Sequence, residues 1–136
     1  MDGKNIFITE PDFERLQRLI SSESFRHRDV RHLDDLKSEL ERAVVVESSK
    51  IPHDVVTMNS QVRVKDLDTQ KELVYQVVFP RDANPERNQI SILAPIGTAL
   101  LGYRAGSTIE WKVPSGLRRL YIMDVVYQPE ASGLAA

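Results

Sequence analysis

The chain changes its hydrophobic period once, at ESSKIPHD (residues 47–54), and that change constrains its fold more than any other feature. Before this point apolar residues recur every three or four positions, and after it they alternate. The serine pair and Pro52 end helical backbone here, because the residue before a proline is pushed out of the helical region. The sequence therefore predicts an α+β chain in two parts: residues 1–47 helical, residues 48–136 β-rich.

In the first part, Ile6, Phe7 and Ile8 read as a short strand. TEPD then opens a helix, with Thr9 as N-cap, Pro11 in the first turn and Asp12 near the positive end of the dipole. Phe13, Leu16, Leu19 and Ile20 form one apolar stripe that ends in SSES. A second helix starts near Asp29 and carries Val30, Leu33, Leu36, Leu40, Ala43 and Val44 on one face. Two such stripes bury each other in a short antiparallel helical hairpin of coiled-coil type. With helices of about 13 and 17 residues, the longer one spans only ~25 Å.

In the second part, VVTM, QVRVKDL, ELVYQVVFP, QISILAP, TIEWKVPSG and LRRLYIMDVVYQ read as strands, with DTQK as a turn. PIGTALLGYRAGS begins with an N1-type Pro95, supports a short helix and closes at Gly102 or Gly106. The expectation is an antiparallel β domain with one short helix across it and a frayed tail, PEASGLAA.

Composition excludes several functions. There is no cysteine, so thiolate chemistry, disulfides and cysteine-based metal sites are ruled out. Residues 1–50 hold 9 of the 18 basic and 11 of the 20 acidic side chains, so charge is balanced along the chain. Bulk attraction to DNA or anionic lipid is not expected, and neither is sequence-specific nucleic-acid binding. The N-terminus lacks the pattern of a signal peptide, and no stretch approaches the ~18 apolar residues of a membrane span. A cytoplasmic monomer is expected, although the helical stripe could also pair with a copy.

SFRHRDVRHLDDL, at the turn between the helices, is the most unusual local stretch. One reading is a solvated turn whose arginines balance Asp29, Asp34 and Asp35. A second is a contact surface in which Arg26, His27, Arg28, Asp29 and Arg31 meet acidic groups of a partner and Phe25 is the apolar anchor, and a third is a phosphate or nucleic-acid contact. His53 has no second histidine near it and reads as a structural hydrogen-bonding group rather than a base or ligand. Trp111, Tyr75, Tyr121 and Tyr127 fall on strands and read as core or half-core. No catalytic, cofactor-binding or metal-binding set emerges.

SILAPIGTALLGYRAGSTIEWKVPSG resembles the C-terminal signature of the Gre transcript-cleavage factors: a strand, then S/A-P-[IL]-G-x-A-L-[LI]-G-x-x-x-G, then a strand ending P-x-G. PHDVVTMNSQVRV and YQPEASG are similar, more narrowly, to the Rnk branch, and the likeness runs from about residue 5 to residue 133. The resemblance implies a helical hairpin on a domain with the FK506-binding-protein (FKBP-like) fold. It also implies a bacterial protein that binds RNA polymerase near its secondary channel, with Pro95, Ile96, Gly97 and Leu101 near the docking surface, and with an effect on nucleoside diphosphate kinase levels.

Gre factors present D-x-x-E at the hairpin tip to help hold a second Mg²⁺, a hard ion that takes oxygen ligands. Here His32 stands three residues after Asp29, and Arg26 three after Glu23, so the acidic pair is missing. Arg26, Arg28 and Arg31 would also repel a divalent cation. The reading is a non-enzymatic regulator that competes with Gre factors. Two alternatives stand beside it. One is a peptidyl-prolyl isomerase, against which 9 scattered aromatics argue. The other is a weak cleavage factor using Asp29 with Asp34 or Asp35.

Overall fold

Thr9 caps the first helix, as its position before EPD predicts: its Oγ1 accepts the N–H of Asp12 at 3.3 Å. The computed structural model describes residues 6–26, 31–113 and 116–131. The first elements are β1 (Phe7–Thr9), α1 (Glu10–Arg26), α2 (Arg31–Glu41) and β2 (Val44–Val46). Strands β3 (Gln61–Asp66), β4 (Glu72–Val78) and β5 (Gln89–Ser91) follow, then α3 (Pro95–Leu100), β6 (Thr108–Val113) and β7 (Gly116–Tyr127).

Both early helices differ in extent from the sequence reading. α1 runs on through the serine cluster to Arg26, because serine is only mildly unfavourable inside a helix. α2 stops at Glu41, so Ala43 and Val44 are not helical. The three consecutive valines are stiff at χ1 and form β2 instead, which pairs in parallel with β1 in the register Phe7 with Val44 to Thr9 with Val46. The N–H of Val44 reaches the Ile6 carbonyl at 2.8 Å. α1 and α2 are thus bracketed at their base by a two-stranded sheet and pack on each other.

The main sheet has the order β5-β4-β3-β7-β6. It is mixed rather than antiparallel, because β5 lies parallel to β4. Residues 79–88, with two 3-10 turns, carry the chain back to make that pairing possible. VVTM is not a strand: Val55 makes a single bridge to Arg104, and residues 57–60 form a turn held by Ser60 Oγ, which accepts the Thr57 N–H at 2.9 Å. α3 forms where the PIGTAL segment predicts it, with Pro95 in its first turn.

One hydrophobic cluster joins both parts of the chain. Leu16, Leu36 and Leu40 from the helices are buried with Ile6, Ile8, Met58, Val62, Leu100, Leu101 and Ile122. Each such side chain contributes about 1.5–3 kcal/mol. The opposite face of the sheet carries exposed Arg63, Val74, Asp124 and Val126. Tyr121, expected in the core or half-core, is 38% exposed on that face because it alternates with buried Leu120 and Ile122. Among the described residues, no helix is long and apolar enough to cross a membrane.

Candidate functional site: a docking shelf and a joint

The turn from β5 into α3 builds a compact shelf from backbone hydrogen bonds. The Ser91 carbonyl accepts the Ala94 N–H at 3.0 Å, and Ser91 Oγ accepts the Leu93 N–H at 3.0 Å. Thr98 then donates its hydroxyl to the Ile92 carbonyl at 2.6 Å, tying the helix back to the strand it left. Gly97 faces this turn so closely that a Cβ there would sit 2.3 Å from the Ser91 carbonyl oxygen. Only glycine permits that approach.

The shelf's outer surface is made by Pro95, which is exposed, and Ile96, which is half-buried. Gly97 is buried, and Leu101, at 1% exposure, belongs to the core, so its side chain offers nothing to a partner. Of the four residues expected at a docking surface, Pro95 and Ile96 reach the surface, and Gly97 and Leu101 are buried beneath it.

The far end of α3 leads directly to the base of the helices. Gly102, at φ +86°, donates its N–H to the Val56 carbonyl at 2.8 Å, and its own carbonyl accepts the Phe7 N–H at 3.1 Å. A side chain at this position would meet Ile6 at 2.7 Å. Gly102 thus ties the shelf to β1 and to the segment around Val56, whose own N–H adds a bond to the Tyr103 carbonyl at 2.9 Å.

Beside this contact lies a polar joint. Asp12, in the first turn of α1, is 2% exposed; its Oδ2 accepts the Met58 N–H at 3.1 Å and its Oδ1 accepts from Arg15 at 2.9 Å. The Arg15 guanidinium also lies over the Phe79 ring, 5.5 Å from its centroid. Burial pushes the Asp12 carboxyl above its ordinary range, and the nearby Glu130 charge adds to that; the Met58 N–H and Arg15 oppose it without prevailing.

Thr57, next to Met58, donates its hydroxyl to Glu130 Oε1 at 2.7 Å. Its single proton being committed there, the 2.7 Å contact between Thr57 and Ser60 hydroxyls has Ser60 as donor. Gln128 is buried and its Nε2 donates to the carbonyls of Pro52 and Val55, each at 2.8 Å. The end of the chain thus grips residues 52–60, and residues 52–60 in turn grip α1.

His53 is exposed; its neighbour Asp54 makes the ion pair of this region, with Arg104 at 3.1 Å. A separate buried carboxylate, Asp66, closes the β3–β4 turn. Burial raises its pKa, but the N–H groups of Asp68 and Thr69, with Arg118, outweigh that and hold it below the ordinary range.

Of the expected tip residues, His27, Arg28 and Asp29 lie outside the described residues, as do the side chains of Phe25, Arg26, Arg31 and Trp111. Asp12, Thr57, Ser60, Gln128 and Glu130 were missed as a group. Their signal was the position of four of them inside PHDVVTMNS and YQPEASG, segments from which Thr57 and Glu130, 73 positions apart, meet at the joint.

Residues 51–127 match the family described as "Transcription elongation factor, GreA/GreB, C-term", and residues 4–46 match "Rnk N-terminus". The chain is 37% identical over 134 residues to the regulator of nucleoside diphosphate kinase of Escherichia coli, covering 98% of this chain and 97% of that protein. It is 40% identical over 90 residues to the transcription elongation factor GreA of Clostridium botulinum, a match that takes in 66% of this chain and 56% of that one. A solved structure of a prokaryotic transcription elongation factor GreA/GreB from Nitrosomonas europaea superposes with a TM-score of 0.75 at 43% identity, over 90% of this chain and 100% of that one.

Proposed function

The chain belongs to the Rnk branch of the GreA/GreB family, and from that premise we propose that it is a non-enzymatic regulator that binds RNA polymerase near the secondary channel and keeps Gre factors out. The shelf of Pro95 and Ile96 is the docking surface on this reading, and α1 and α2 form a short hairpin arm that points into the channel mouth. The domain from residue 48 onward is the FKBP-like body, and the protein acts as a cytoplasmic monomer.

The observation that carries this reading is how little of the arm is free. Leu16, Leu36 and Leu40 are sunk in the core and Ile20 still packs against it. Among the described residues α1 continues from Ile20 to Arg26, a rise of about 9 Å at ~1.5 Å per residue, and the chain is described again from Arg31 in α2. An arm of that reach, with Arg26 and His32 where an acidic partner is needed, supports occupancy of the entrance rather than Mg²⁺ chemistry at depth. The basic tip, Phe25 to Arg31, then meets acidic groups at the entrance. The control of nucleoside diphosphate kinase recorded in the name of the Escherichia coli relative is exerted, on this reading, through transcription.

The test is direct binding to purified core RNA polymerase. Wild-type protein should bind and be displaced by a Gre factor, and Pro95→Asp, an exposed change that leaves the core intact, should bind at least about tenfold more weakly, a loss of ~1.4 kcal/mol. Equal binding by Pro95→Asp would remove the shelf from the interface.

A further inference from the structure

α1 meets the body through the shared apolar core at Leu16 and, beside it, through Asp12 and the Met58 N–H; residues 57–60 form a turn, not a ladder strand, and Asn59 within it has a left-handed φ of 68°. A turn of this kind holds its shape through what grips it. The turn is held by Ser60 Oγ, which accepts the Thr57 N–H, and by β4, through the Asn59 N–H to the Val77 carbonyl at 2.6 Å and the Val77 N–H to the Ser60 carbonyl at 3.2 Å, and the far end of the chain adds a further hold: Gln128 on the carbonyls of Pro52 and Val55, and Glu130 on the Thr57 hydroxyl.

We propose that residues Gln128–Glu130 are a clamp that fixes the orientation of the helical arm, which makes Glu130 and Thr57 positioning residues for the arm's action. This rests on the reading above for its functional consequence but not for its structural one. The clamp works by hydrogen bonding rather than charge. Glu130 sits near the carboxylate of Asp12, so its charge opposes the joint while its Oε1 holds it. Glu130→Gln keeps an acceptor for Thr57 and should preserve the arm, whereas Glu130→Ala and Thr57→Val remove the bond.

The experiment exploits the absence of cysteine. Spin labels on cysteines introduced at Arg18 on α1 and Glu86 on the body, both exposed, report the arm-to-body distance distribution in the free protein by double electron–electron resonance. A narrow distribution is expected for wild type and Glu130→Gln, and a broadened one for Glu130→Ala and Thr57→Val. Unchanged distributions in the last two would overturn the clamp. If Thr57→Val does not fold, Glu130→Ala, near the surface, decides alone. In competition with a Gre factor, a fall of the competent orientation to about a tenth should raise the half-inhibitory concentration about tenfold, with binding of the body to polymerase retained. Broadening without that rise would overturn the positioning role. Because the distances are measured without polymerase, failure of polymerase binding would sink the functional reading and leave the clamp to be decided by the labels.

Discussion

Gly97→Ala should destabilise the protein even though alanine is the better helix former. At an open helical position the substitution gains up to about 1 kcal/mol. Here the new Cβ would lie 2.3 Å from the Ser91 carbonyl oxygen and 3.1 Å from Ile92 Cα, so α3 must retreat by about 1 Å to restore van der Waals contact. Both neighbours are backbone and cannot swing aside, which puts the overpacking cost at the upper end of its usual range, about 3 kcal/mol. The retreat also stretches the 2.6 Å bond from Thr98 to the Ile92 carbonyl, a further loss of about 1 kcal/mol. The net is about 3 kcal/mol, or a fall in Tm of roughly 10 °C for a chain of this length. Circular dichroism melts of the wild type and variant measure it directly. A Tm equal to or above that of the wild type would refute the close approach and with it the account of why the shelf needs glycine.

Other perturbations test the joint and the charges. Leu36→Ala, in the cluster shared by both parts, should cost about 2–5 kcal/mol in chemical denaturation and unfold helix and sheet in one transition; a separate early transition of the helices would contradict the single core. Asp12→Ala strands the Met58 N–H and should cost about 1–3 kcal/mol, whereas Asp12→Asn, which keeps an acceptor, should cost less. The two carboxylates should act on acid stability with opposite signs. Asp66 is lowered, so its contribution is present above its unfolded value near 3.8 and is lost as pH falls through the folded value; Asp66→Asn should make the acid loss of Tm shallower. Asp12 is raised, so the folded protein binds its proton more tightly and gains stability as pH falls through the folded value toward 3.8; Asp12→Asn should make the acid loss steeper. Melts across the acid range that show the same sign for both variants would sink this assignment.

The periods and breakers of the sequence were enough to place α1, α3 and the strands from β3 onward, because each carries a local signal: a cap at Thr9, a proline at position 95, alternation in QVRVKDL. Ala43 and Val44 were misread as helical because an apolar residue at a four-residue step fits a helical stripe and a short strand alike, and only pairing with β1 decides between them. The parallel β4–β5 pair was equally illegible, since it depends on the path of residues 79–88 rather than on β5 itself. Pro95 and Ile96 were singled out through their motif, but what they pack against was not legible there. Leu101 looks like Leu100 or Ile96 in the sequence, and only the fold turns it inward. The joint was beyond reach for a different reason: Asp12, Thr57 and Glu130 have ordinary surface character one by one, and their role arises from meeting across the chain.

On the proposed function this chain occupies the polymerase entrance without cutting RNA. Transcript cleavage in a backtracked RNA polymerase complex that carries a Gre factor, followed while this protein is titrated in, measures that occupancy. Cleavage should fall as the protein rises, and the protein alone should release no cleaved transcript. Undiminished cleavage at a large excess of the protein, or cleavage stimulated by the protein alone, would contradict it.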